Sequence, residues 1–126
     1  MERLGKEKGK LMTRLNKDID YKFHEDTTIL KIIAYVDSTY DQHYAQDKIQ
    51  ATEFIFDAGH GEGFCVGNIL KYAQRWGKKT VKTQKLDLYK VIHYTMILLG
   101  HIDREANAKL EKELDEYDMQ MNTDKS

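Results

Sequence analysis

The chain has 126 residues, no proline, a single cysteine, and 20 basic against 21 acidic side chains. This length suits one domain, and the lone Cys65 excludes a disulfide framework and a cysteine-based zinc cluster. No run of 18 apolar residues and no apolar core of a signal peptide is present, so we expect a soluble intracellular protein without membrane contact.

The predicted elements begin after a polar, partly flexible lead segment, residues 1–26. The first helix is predicted over residues 28–38, because its apolar positions share one face and Thr27 or Thr28 can cap its start. The same run of isoleucine and valine also suits a short strand near 28–36. Such a strand would have to pair between subunits, since the chain offers no convincing second strand.

A second helix is predicted over residues 46–57, followed by a cluster of glycines over residues 59–67. We expect these glycines to form a turn that opens the next helix, over residues 64–76. Gly77 is well placed as a left-handed residue just beyond that helix.

The most regular apolar stripe of the chain predicts a long helix over residues 85–102. Residues 103–126 form an acidic amphipathic segment that either continues this helix or forms another to about Met121, before a frayed end. The narrow apolar stripe of this segment suits packing on a partner helix. We therefore expect an all-α fold of four to five helices, with its ligand-binding domain over residues 27–102 and a homo-oligomeric assembly.

Charge is distributed unevenly along the chain. Residues 71–90 carry seven basic side chains and one acidic side chain, Asp87, whereas residues 103–118 carry seven acids and three bases. A cationic centre favours anionic ligands such as nucleotides or nucleic acid. The alternative is that both segments are merely solvated helix faces.

One helical face combines an amide, an ammonium and a guanidinium group. Asn68, Lys71, Tyr72 and Arg75 fall at positions i, i+3, i+4 and i+7, so they share a face. A glycine turn and a free helix N-terminus before such a face favour phosphate binding. The other faces are predicted to meet the core through Ile69, Leu70, Ala73 and Trp76. Lys78 and Lys79 follow directly, but the glycine spacing does not match a Walker A motif.

The long helix presents Asp87, Lys90 and Tyr94 along one face, with His93 one position round. An acid and a histidine beside a phosphate site can move protons, and a histidine can carry a phosphoryl group. An ordinary surface ion pair and a structural histidine are the alternatives.

One pair of carboxylates is spaced to act together. Glu53 and Asp57 lie four positions apart on the second predicted helix, and are the candidates for a Mg²⁺ ion that accompanies a nucleotide. No zinc-ligand spacing is present among the five histidines.

A longer pattern runs from His43-Tyr44, through Gly67-Asn68-Ile69-Leu70-Lys71-Tyr72 and Arg75, to Asp87-Leu88, Lys90 and His93-Tyr94. It resembles a small bacteriophage family, long described as a domain of unknown function, that includes a nucleotide kinase without a P-loop. The sequence departs from the family pattern in reading Tyr94-Thr95 instead of Tyr-Leu, and in its extra glycines at 59–63.

The resemblance implies transfer of phosphate from a nucleoside triphosphate to a deoxynucleoside monophosphate, by an oligomer in the cytoplasm of an infected bacterium. The residues expected to carry the chemistry are Lys71, Arg75, His93 and Asp87. Those expected to bind substrate or phosphate are His43, Tyr44, Gly67, Asn68, Lys71, Tyr72, Arg75, Lys78, Lys79, Lys90 and Tyr94. A non-catalytic nucleotide-binding protein and a single-stranded nucleic-acid binder remain as alternatives.

Overall fold

The structure is a computed structural model that describes residues 18–41 and 45–124. Within these residues it contains four helices and no strand, which confirms the all-α prediction. The alternative of a strand near 28–36 is wrong, because these residues lie inside the first helix. The helices are α1 (Glu25–Tyr40), α2 (Ala45–Asp57), α3 (Gly61–Arg75) and α4 (Val81–Asp124).

The first helix begins earlier than the sequence indicates. Its N-cap residue is His24, which has a left-handed φ of 58° and makes no side-chain capping hydrogen bond. The predicted caps, Thr27 and Thr28, therefore lie inside the helix. Glu25 and Asp26 occupy the first turn, where two carboxylates are favourable beside the positive end of the helix.

The glycine cluster does not form an extended turn. Only Gly59 has a positive φ, 87°, while Gly61, Gly63 and Gly67 all lie within α3. The turn is short because the Gly59 N–H donates to the Phe56 carbonyl and closes the end of α2 directly. The prediction of a glycine loop opening onto a helix at residue 64 is wrong.

The reversal between α3 and α4 depends on Gly77, whose φ of 81° confirms the predicted left-handed position. The Thr80 carbonyl accepts the Gln84 N–H at 3.0 Å, so α4 begins at Val81 rather than at residue 85. The helix then runs unbroken for 44 residues to Asp124. At 1.5 Å per residue its length is about 66 Å.

The chain divides into two compact units between Phe54 and Ile55. The first unit contains α1 and most of α2, and its described side chains are almost all exposed or half-buried, Ala45 being the buried exception. The second unit contains α3 and α4, which pack against each other as an antiparallel hairpin. None of the helices in the described residues is both long and apolar enough to cross a membrane.

The contact between α3 and α4 is formed by residues spaced seven positions apart along each helix. Cys65 on α3 is fully buried, and Asp87 on α4 is only 2% exposed. The predicted core face is wrong: Leu70 is 64% exposed and Trp76 is 51% exposed. The two helices meet instead along the face of Asn68, Tyr72 and Arg75, which the sequence assigned to a ligand. The side chains of this face have the three- and four-residue spacing typical of a packed helix pair.

Candidate functional site

The hairpin brings two tyrosines together near its middle. The rings of Tyr72 on α3 and Tyr94 on α4 lie nearly parallel, 11° apart, with their centroids separated by 6.1 Å. Phe64, two turns before Tyr72, meets the Tyr94 ring edge-on at 5.7 Å. Both geometries are favourable for aromatic pairs, so the stack fixes the register between the helices.

Three basic side chains surround the Tyr72 ring. The distance to the ring centroid is 4.8 Å from Lys90 Nζ, 5.2 Å from Lys71 Nζ and 5.6 Å from Arg75 Cζ. Each cation is within range of the electron-rich ring face. Lys71, Arg75 and Lys90 are called here the cationic cluster; two of them come from α3 and one from α4.

A single buried carboxylate partly balances these charges. Arg75 Nε lies 3.9 Å from Asp87 Oδ1, within ion-pair distance but beyond a hydrogen bond, and this buried Nε atom has no hydrogen-bond partner. Asp87 is buried in the contact between the helices, and its carboxylate attracts the Arg75 guanidinium. The cationic cluster therefore keeps an excess of positive charge.

Burial alters three titratable groups of the hairpin. It raises the pKa of the Tyr94 phenol, and the nearby Tyr72 and Cys65 side chains raise that pKa further by charge repulsion. Burial also raises the pKa of the Cys65 thiol. Burial lowers the pKa of His93, because the charged imidazolium loses solvation. At neutral pH, Tyr94 is therefore a protonated phenol and His93 a neutral imidazole.

The structure does not bring the Asn68 amide or the free N–H groups at the start of α3 to the predicted phosphate site. The Asn68 amide donates to the Phe64 carbonyl at 2.9 Å, and Gly67 lies in the body of α3 with open space around its Cα. The free N–H groups of the helix start near Gly61, ten residues before Lys71. That separation is about 15 Å along the axis, too far for one phosphate to bridge.

The remaining predicted residues lie around or outside the cluster. Lys78 and Lys79 are exposed in the turn directly after α3. Glu53 and Asp57 are exposed on α2, and the described residues contain no group of three metal-ligating side chains. His43 and Tyr44 lie outside the described residues.

Sequence reasoning missed the contact of Lys90 with Tyr72 and the buried position of Cys65. The signal was present in the seven-residue spacing of Cys65 with Tyr72, and of Asp87 with Tyr94 and His101. Matched on two antiparallel helices, these spacings predict one continuous seam.

A shallow concavity of about 420 Å³ lies at the other end of the hairpin. His101 lies against the Phe56 ring at 4.8 Å, and its Nε2 atom is 3.8 Å from Glu62 Oε1. Glu105 also lines this concavity. Two carboxylates make it unfavourable for phosphate, so the cationic cluster is the better anion site of the two.

Residues 38–96 match a family described as a protein of unknown function, DUF3310. The match covers just under half of the chain and includes every predicted site residue from His43 to Tyr94. Neither the curated proteins nor the solved structures contain a match to this chain.

Proposed function

We propose that the protein is a nucleotide-binding phosphotransferase. It moves the terminal phosphate of a nucleoside triphosphate to a deoxynucleoside monophosphate, as a homo-oligomer in the cytoplasm of a phage-infected bacterium. The observation that carries the proposal is the cationic cluster: three basic groups within 5.6 Å of one tyrosine ring centroid, with one buried carboxylate beside them. The resemblance to a phage family with a kinase member supports the same reaction.

The cluster has the chemistry that polyphosphates require. Arg75 presents a planar guanidinium that can grip two phosphate oxygens, and Lys71 is an exposed, mobile point charge. Lys78 and Lys79 add charge at the same end of the hairpin. Phosphoryl transfer depends mainly on positioning and charge stabilisation, which such residues supply without a Walker motif.

The reaction does not require a strong base. An oxygen of the acceptor monophosphate forms the new P–O bond to the γ-phosphorus, and the bond to the β-phosphate oxygen breaks, releasing the nucleoside diphosphate. The attacking oxygen is already anionic at neutral pH, so no proton must be removed. A buried Asp87 and a neutral His93 are compatible with this reaction, with Asp87 acting through Arg75. A Mg²⁺ ion that accompanied the triphosphate would supply neutralisation of the phosphate charge.

The test is transfer of labelled phosphate from triphosphate donors to each deoxynucleoside monophosphate. We expect Lys71→Ala to lower kcat/KM about tenfold or more, since a charge-assisted contact with the transferring phosphate is lost. Lys71→Arg should restore part of the activity. Lys109→Ala, which removes an exposed lysine of α4 outside the family match, is the matched control and should retain full activity.

The outcomes separate the three candidate functions. Absence of transfer in every donor–acceptor pair contradicts the kinase. Tight stoichiometric binding with the nucleotide recovered unchanged indicates a non-catalytic nucleotide-binding protein. Affinity for single-stranded DNA or RNA that falls steeply with salt indicates a nucleic-acid binder. Mass spectrometry of any nucleotide retained through native purification identifies the ligand class directly.

A further inference from the structure

An exposed stripe runs along the whole of α4, on a face away from α3. Its larger members are between 44 and 59% exposed: Leu88, Leu99, Ile102, Leu110, Leu114, Tyr117 and Met121. Ala106 and Thr95, both exposed, continue the stripe, and the Thr95 hydroxyl donates to the Val91 carbonyl of its own helix. A continuous apolar face on an exposed helix marks an interaction surface.

This stripe is nearly symmetric about the middle of its helix. The midpoint of Val81–Asp124 falls between Ile102 and Asp103. When a second α4 is laid antiparallel about this midpoint, Leu88 faces Tyr117 of the second copy and Leu99 faces its Ala106. Thr95 similarly faces Leu110. Six stripe residues thus meet another stripe residue, as a two-fold interface requires. In the same register Ile102 lies beside Asp103 of the second copy, Leu114 faces Val91 and Met121 faces Gln84.

Charge favours the antiparallel direction over the parallel one. The seven basic side chains of residues 71–90 lie at the turn end of the hairpin, and the seven acids of residues 103–118 lie on the other half of α4. An antiparallel pair places residues 111–118 of one copy beside the basic end of the other. A parallel pair would set acids against acids and bases against bases, which is repulsive.

We propose that α4 pairs with α4 of a second copy of this chain, antiparallel and centred between Ile102 and Asp103. This pairing gives a specific interface to the homo-oligomer of the proposed function. It rests on the proposed function only in taking the partner to be a second copy of the chain. It makes no use of nucleotide chemistry. Each α3–α4 hairpin then receives the acidic half of the other copy's α4 along its exposed apolar face.

Variants with one cysteine added on α4 test the direction of pairing under mild oxidation. Ile102→Cys lies at the two-fold axis, so we expect it to form a disulfide-linked dimer. Met121→Cys lies near one end of the helix, where only a parallel pair would bring the two thiols together, so it should stay unlinked. The wild type, whose Cys65 is fully buried, is the control for background oxidation.

A matched pair of alanine substitutions tests the surface itself. Ala106→Glu places a charge on the stripe, and Ala108→Glu places the same charge on the opposite face of α4; both alanines are exposed. We expect Ala106→Glu to weaken dimerisation about tenfold or more in sedimentation equilibrium, because it buries an unpaired carboxylate, and Ala108→Glu to leave it unchanged. Circular dichroism checks that both variants remain helical.

A two-chain mass with disulfide linkage at residue 102 but not at 121 supports the pairing, whether or not phosphate transfer is detected. A monomer at micromolar concentration overturns it. Linkage through Met121→Cys at a comparable rate overturns it as well, since the helices would then be parallel. Equal weakening by the two glutamate variants would show that another surface holds the copies together.

Discussion

The Tyr72 ring contacts side chains of both α3 and α4. Its ring stacks on Tyr94, and three cations approach it. Each cation–ring contact contributes about 0.5–1 kcal/mol at an exposed site, comparable with the repulsion between neighbouring like charges. Under the proposed function, an anion bound between the cations would relieve that repulsion.

His93 makes the stability of the hairpin depend on pH. Burial lowers the pKa of His93 below its ordinary value of 6.5, so the unfolded chain takes up a proton at a higher pH than the folded chain. The free energy of unfolding should therefore be highest above about pH 6.5 and fall as the pH drops toward the folded-state pKa. Urea unfolding at about pH 7.5 and about pH 5 measures this loss.

The variant His93→Gln should reduce the loss of stability between these two pH values. His60→Gln removes an exposed histidine and is the matched control. An unchanged pH dependence in His93→Gln, with native helicity retained, would show that a different group is responsible.

The glycines of α3 have different roles although they share one helix. A Cβ at Gly61 would overlap the ring of Phe56, whereas a Cβ at Gly63 would meet nothing within 4 Å. Gly61→Ala should therefore destabilise the protein by about 1–3 kcal/mol, through displacement of an aromatic ring. Gly63→Ala should stabilise it by about 0.5–1 kcal/mol, since alanine restricts the unfolded chain and favours the helix.

Urea-unfolding midpoints of the two alanine variants provide the measurement. The two substitutions add the same methyl group two residues apart, so opposite signs isolate the effect of the Phe56 contact. Destabilisation by both would indicate that the start of α3 needs glycine for a reason other than space.

The helices were predictable from sequence, but the face each helix buries was not. Periodicity located α1 to α3 and the start of α4 within a few residues but left open whether residues 103–121 continue α4, and Gly77 ended α3 as expected. The buried faces were misassigned because Leu70 and Leu88 are more apolar than the residues that pack, such as Tyr72 and Asp87. Hydrophobicity alone cannot distinguish a helix face that packs within one chain from a face that would contact a second chain.

The cationic cluster was predictable only in part. Lys71 and Arg75 share a helical face by spacing alone, and the structure places them together. Lys90 joins them through the register of the hairpin, which depends on contacts such as the Tyr72–Tyr94 stack. Its approach to the same ring was therefore not visible in the sequence.

The described helices of the second unit bury very little for their length. Among its apolar side chains only Cys65 is fully buried, while many large apolar side chains stay exposed. A small buried core stabilises a single chain weakly, so association should contribute much of the stability. We expect the thermal midpoint to rise with protein concentration over the micromolar range.

Differential scanning calorimetry at several concentrations measures this dependence. Ala106→Glu should lower the midpoint and flatten its rise with concentration, whereas Ala108→Glu should follow the wild type. A midpoint that is independent of concentration would show that the single chain is stable by itself.

Trp76 gives the hairpin a natural optical probe. It is the single tryptophan of the chain, and it lies half-exposed directly after Arg75, at the turn between α3 and α4. The wavelength of its fluorescence emission reports the solvent exposure of this one position, because the chain has no other tryptophan. The proposed phosphate binding at the cationic cluster and the proposed pairing of α4 can thus both be followed by Trp76 fluorescence in the unlabelled wild-type protein.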